Sequence, residues 1–187
     1  MTLRRLGRAL LRNEGGFTLP ELVTSMGILL TVMSGFTGLL VVTTTAEVDM
    51  NKRFQAQTEA HLAFTKMRRE VHCASAAVTA AGPPARATLT MPATCPTSGG
   101  NTSITWCTVA NGTNRYGLWR YIGSACSGTG VKIADYLTVG DAFVNYASSP
   151  TTLAKLGVTL SINMTPGSAE RVFKLQDDIV LRNSTRS

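Results

Sequence analysis

From Leu22 to Val42 this chain carries no charged residue, and one carboxylate, Glu21, stands at the start of that run. Twenty-one uncharged residues in a helix rise about 31 Å at about 1.5 Å per residue, which matches the hydrocarbon thickness of a bilayer. The run is therefore expected to be a membrane-spanning helix. What precedes it restricts the reading further. Residues 1–16 hold Arg4, Arg5, Arg8 and Arg12 against Glu14 and close on Gly15-Gly16, just before Phe17. In an ordinary secretory signal the cleavage site follows the apolar segment, so that segment is lost. Here the small residues come first, and the apolar segment would be kept, with the basic residues holding the N-terminus in the cytoplasm.

The order of basic leader, Gly16, Phe17, Glu21 and about twenty apolar residues resembles the type IV prepilin and pseudopilin family. The specific part of the resemblance covers Gly15 to about Val42, and the architecture extends it to about residue 80. It implies a type IV pilin-like α+β fold, in which a long N-terminal helix packs on a C-terminal antiparallel sheet domain. It also implies that a membrane prepilin peptidase cuts between Gly16 and Phe17 and methylates the new Phe17 amine. The partners implied are that peptidase, other pilin or pseudopilin subunits and an inner-membrane assembly platform. Localisation would be single-pass in the bacterial cytoplasmic membrane, N-terminus inside and C-terminal domain outside, then a cell-surface or periplasmic filament.

The residues support these roles independently. Glycine at Gly16 allows a protease close to the backbone. Pro20 falls in a first helical turn, where its missing N–H costs little. An ionised Glu21 at the edge of hydrocarbon needs a cation, and the freed Phe17 ammonium of a neighbouring subunit would supply one. Glu21 is thus expected to be an assembly residue.

The chain divides by pattern into a leader (1–16), a span and filament-core helix (17–46), an amphipathic continuation (47–81) and a β-rich globular domain (82–187). Over the third segment Ala60, Phe64, Met67, Val71, Ala74 and Val78 recur at steps of four and three among charged residues, drawing one apolar helical stripe. Gly82-Pro83-Pro84 is expected to end the helix near Ala81. Beyond it, short apolar or β-branched runs at 87–91, 102–109, 116–122, 131–137, 142–146, 158–164 and 172–181 predict an antiparallel sheet of about four to seven strands. Residues 82–100 and 148–155 are expected to be mobile loops. Gly27, Gly35 and Gly38 in the span would permit close helix contact.

Formal net charge is +7 over 187 residues. The leader's four arginines and one glutamate account for +3, so the remainder is only mildly basic and argues weakly for nucleic acid. Four cysteines, Cys73, Cys95, Cys107 and Cys126, follow the span. An even number outside the cytoplasm favours disulfides, with three possible pairings. The preferred one is Cys73 with Cys95, tying the helix end to the next loop, and Cys107 with Cys126, clamping two neighbouring strands. No Cys-x-x-Cys pair occurs, and His61 and His72 have no evident ligand partners, which disfavours zinc. Asp135, Asp141, Asp177 and Asp178 lack calcium-loop spacing and read as surface acids. No metal or cofactor is expected.

The sequence has no Gly-x-Ser-x-Gly, no His-Glu-x-x-His and no phosphate-binding Gly-rich loop ending in Lys, so an enzyme is the least favoured class. Residues Asn114 to Tyr121 interleave arginine with aromatic side chains, with Trp106 nearby in sequence. Arg115, Trp119 and Arg120 could contact DNA. The alternative is a half-buried strand, with Tyr116, Leu118 and Arg120 on one face and Arg115, Gly117, Trp119 and Tyr121 on the other. The consensus Asn-x-Ser/Thr sites at Asn101, Asn111, Asn163 and Asn183 are expected by chance in so Ser/Thr-rich a chain. Arg68-Arg69-Glu70 on the stalk and the closing stretch 175–183 lean toward a minor pilin or pseudopilin. The competing functions are a type II secretion pseudopilin moving exported proteins, a competence minor pilin that captures DNA, and a lone membrane-anchored binding or adhesion domain.

Overall fold

In the computed structural model, residues 16–82, 84–165 and 172–185 are described. Residues 1–15 of the expected leader and Pro83 lie outside them. The chain divides into two compact units, one ending at Val48 and the other running from Asp49. Helix α1 (Leu19–Cys73) begins in the first unit and ends in the second. It starts where Pro20 and Glu21 favour a first turn, proline because it needs no donor there and glutamate because its charge complements the helix dipole.

The first unit is exposed throughout, from Gly16 to Val48. Its most apolar 18-residue window has a mean hydropathy of 1.9 with none of it buried, and α1 is long and apolar enough to cross a membrane. Thr24, Ser25, Thr31, Thr37, Thr43, Thr44 and Thr45 donate their hydroxyls to carbonyls three or four residues back, so these polar side chains are satisfied within the helix itself.

In the second unit α1 turns amphipathic. Ala56, Ala60, Ala63, Phe64, Met67, Glu70 and Val71 are buried, at helical spacing. They lie against an antiparallel sheet of eight strands: β1 (Ala76–Ala80), β2 (Arg86–Thr90), β3 (Ser103–Ala110), β4 (Tyr116–Ile122), β5 (Gly130–Leu137), β6 (Phe143–Tyr146), β7 (Lys155–Ile162) and β8 (Phe173–Val180). The order is β1-β2-β3-β4-β5-β7-β6, with β8 on the other edge of β7. β5 meets β7 only at Leu137 opposite Ile162, because β6 occupies the rest of that edge. The sheet curls, and Asn145 on β6 donates its side-chain N–H to the Ala77 carbonyl on β1 at 2.9 Å. The α+β class with a long N-terminal helix on an antiparallel sheet is therefore seen.

The helix ends at Cys73, eight residues before the expected Ala81. Ala-rich residues 74–81 favour helix locally, yet β1 pairs along its whole length with β2, Ala76 opposite Thr90 and Ala80 opposite Arg86. Ser75 N–H already bonds the Thr90 carbonyl, and Asn183 donates to the Cys73 carbonyl at 2.7 Å, satisfying the helix end. Ala74 keeps its place in the apolar stripe, but Val78 points outward from β1 at 65% exposure. Strand pairing thus overrides local propensity, and the described residues form eight strands. Residues 82–100, expected as a mobile loop, contain β2 and a 3-10 turn at Pro96–Ser98. The connection at 148–155 is closed by Ser149 and Thr152, whose backbones bond each other.

Both preferred disulfides are present. Cys73 joins Cys95 with Cα atoms 5.9 Å apart, and Cys107 joins Cys126 with Cα atoms 6.0 Å apart. Cys126 sits in the connection between β4 and β5, so the second bond ties a strand to a loop rather than to a neighbouring strand. Cysteine spacing could not separate these, since a hairpin strand and its exit loop lie at similar sequence distance.

Gly117 and Gly130 in strands, and Gly140 in the β5–β6 connection, are covered by aromatic rings. A Cβ on Gly130 would lie 2.4 Å from the Tyr121 ring, one on Gly117 2.9 Å from the Trp119 indole, and one on Gly140 2.9 Å from the Tyr116 ring. Gly130→Ala should therefore lower the unfolding free energy by about 1–3 kcal/mol in denaturant melts of the detergent-solubilised chain. In a Tyr121→Ala background the same substitution should be close to neutral. An equal loss in both backgrounds would mean that ring contact is not the cause.

Candidate functional site

Two regions held the expected functional residues, and the structure treats them differently. At the start of α1, the Thr18 carbonyl accepts N–H bonds from Glu21 at 3.0 Å and Leu22 at 3.1 Å, which fixes the first turn. The Glu21 side chain makes no hydrogen bond or ion pair among the described residues. Phe17 is 75% exposed. A Cβ on Gly16, Gly27, Gly35 or Gly38 would meet no atom within 4 Å, so packing inside this chain requires none of these glycines.

The arginine and aromatic stretch is dispersed rather than gathered. β3 and β4 are in register, with Trp106 opposite Arg120 and Cys107 opposite Trp119, so Arg120 faces α1 while Trp119 lies on the other face of the sheet. Arg120 donates from Nε to Glu70 Oε1 at 2.6 Å, and the buried Trp106 indole donates to Glu70 Oε2 at 2.8 Å. Glu70 is 6% exposed. Burial pushes its carboxyl above the usual carboxylate range, against the opposing pull of Arg120, Trp106 and Arg69. This clamp therefore fixes how α1 lies on β3 and β4 more than it contributes net stability. Trp119 and Tyr121 stack at 6.3 Å between ring centroids while covering their glycines.

Arg115 is held elsewhere. Opposite Gly117 on β4, strand β5 inserts two residues, Asp135 and Tyr136, between the pairs Tyr116 with Leu137 and Leu118 with Ala134. Tyr136 takes φ of 59°, a conformation uncommon for a bulky residue, and its N–H bonds Asp135 Oδ1 at 2.8 Å. Arg115 stacks over the Tyr136 ring at 3.7 Å and donates to Asp135 Oδ2 at 3.0 Å. Lys132 donates to the same oxygen at 3.0 Å, and Glu59 on α1 accepts the Asp135 N–H at 3.2 Å. The three residues named for DNA contact thus do not form one surface.

Of the remaining acids, Asp177 pairs with Arg68, while Asp141 and Asp178 are exposed. His72 donates from Nδ1 to the Val180 carbonyl at 2.8 Å, so it covers the open edge of β8. His61 packs its ring against Phe173, 6.4 Å between centroids. Among the described residues no three His, Cys, Asp or Glu side chains gather as a metal site. Sequence reading missed Glu70 and the Asp135 bulge. Glu70 could have been found, because it stands three residues after Met67 and beside Val71, inside the apolar stripe. The bulge left no sequence signal.

The Asp135 carboxyl is held in its charged form by this cluster. Burial pulls its pKa up, but the Tyr136 N–H, Lys132, Arg115 and Asn111 outweigh it and hold the value at about 2, below the ordinary 3.8. A depressed carboxylate stabilises the fold above its unfolded pKa and loses that contribution as the pH falls. Asp135→Asn should accordingly be less stable than the parent at neutral pH, and the two should converge as the pH falls from 3.8 towards about 2. Urea melts across that range check this, and a gap that does not narrow would contradict it.

The chain matches no family model, no curated protein and no solved structure.

Proposed function

We propose that this chain is a structural subunit of a type IV filament, a minor pilin or pseudopilin assembled through its N-terminal helix. The observation that carries the reading is Glu21, a carboxylate without a partner among the described residues, at the head of a helix whose first thirty residues bury nothing. Such a helix needs a second apolar environment, and such a carboxylate needs a cation. A lipid bilayer followed by neighbouring helices supplies the first, and a neighbour's Phe17 ammonium supplies the second. Gly16 fits the same account, since no packing within the chain asks for glycine there and a peptidase would. The span glycines would let neighbouring helices approach closely. Function is then assembly, with the sheet unit as the displayed part. Between the variants of this reading, the internal ion pairs of Arg115 and Arg120 weigh against a DNA-capturing pilin and leave the pilus and secretion variants in front.

Intact-mass spectrometry of the protein from its native host should find a chain starting at Phe17 and carrying one added methyl group. A retained Met1, or a start elsewhere, would remove the prepilin reading. Glu21→Ala should be cleaved normally yet fail to enter sheared filament fractions. Normal assembly of that variant would show that the carboxylate is not an assembly residue.

A further inference from the structure

The three charged residues Arg68-Arg69-Glu70 end in three different environments. Arg68 pairs with Asp177 on β8, and Glu70 is clamped by Arg120 and Trp106. Among the described residues Arg69 makes no hydrogen bond or ion pair, acting on Glu70 only at longer range, and Lys66, one helical turn before it, makes none either. Both are exposed, and both open onto a groove of about 290 Å³ whose far wall is Arg120 on β4 with Val131 and Ile133 on β5. Thr97, from the 3-10 turn that Cys73–Cys95 tethers to the helix end, adds a hydroxyl at the rim.

The groove therefore holds three cations and one acid, and both oxygens of that acid are already engaged. Three cations against one acid leave the groove a net charge of +2 beside an apolar wall, where Val131 remains 55% exposed. A bare anion would satisfy the charges and leave the valine in water. A carboxylate beside an aliphatic group would satisfy both, since a guanidinium grips a carboxylate with paired donors while the apolar side chain covers Val131 and Ile133.

We infer that this groove docks an acidic segment of a partner polypeptide, a Glu or Asp against Lys66 and Arg69 with a neighbouring aliphatic side chain on Val131 and Ile133. The inference does not depend on how α1 assembles. To test it, the full ¹⁵N-labelled chain in detergent micelles is titrated with the probe peptide acetyl-Leu-Glu-Leu-Glu-Leu-amide. Saturable shifts are expected at the Arg69 Nε–H and the Val131 amide, with a Kd of about 1 mM or tighter. The Lys66→Met/Arg69→Met variant alters only exposed side chains and should bind at least about tenfold more weakly. Absence of saturation, an equal response to the Gln-for-Glu peptide, the same shifts from inorganic phosphate alone, or unchanged binding by the variant would each overturn the inference.

Discussion

One helix carries two different side-chain patterns along a single hydrogen-bond ladder. Its backbone is satisfied from Leu19 to Cys73 by the same pattern, so the change of environment is written only in side chains. As far as Val48 every residue is exposed, and the hydroxyls of its threonines turn back onto the helix's own carbonyls. From Ala56 one stripe is buried and the other residues stay polar. Small side chains at Ala56, Ala60 and Ala63 let the helix backbone come close to the sheet, and Phe64, Met67 and Val71 then fill the core. The first part buries nothing among the described residues, whereas the second carries one wall of the core.

Within the sheet unit, apolar burial alone would allow the helix to slide by a turn, because dispersion and the hydrophobic effect are not directional. The Glu70 contacts to the Arg120 guanidinium and the Trp106 indole are directional and, with the Cys73–Cys95 bond, tie the helix to one register. On the opposite flank His72 bonds the Val180 carbonyl and Arg68 pairs with the Asp177 side chain, which ties the helix to β8. The disulfides act at the connections: one fixes the helix end to the turn after β2, the other fixes β3 to the loop leaving β4. A small unit with few long apolar strands is held by these crosslinks as well as by its core.

The same economy of side chains explains why the arginine and aromatic stretch of β4 offers no continuous surface. Alternation sends Arg120 to the helix and Trp119 to the far face, and the bulge on β5 draws Arg115 to Asp135 and Tyr136. On the helix side, Lys66 and Arg69 make no ion pair among the described residues, and the groove they line keeps a net positive charge. The charges available for recognition are thus the residue of internal pairing, and they differ from those that stand out in the sequence.

Local signals settled what could be read locally. The uncharged run from Leu22 to Val42, Pro20 and Glu21 at a first turn, and the stripe from Ala60 to Ala74 follow from spacing, because hydrophobic periodicity and turn chemistry act over a few residues. Strand β4 runs over Tyr116–Ile122, the run read from alternation, and the remaining predicted strands lie within a few residues of their expected bounds. Residues 74–81 misled because alanine favours helix locally, whereas hairpin pairing with β2, from Ala76 opposite Thr90 to Ala80 opposite Arg86, wins. The β5 bulge, the placement of Arg115, Glu70 at the centre of a clamp and the position of Cys126 in a loop were likewise decided by tertiary structure. Each depends on groups distant in sequence meeting in one register, and a register is a property of the assembled sheet that no short window of residues contains.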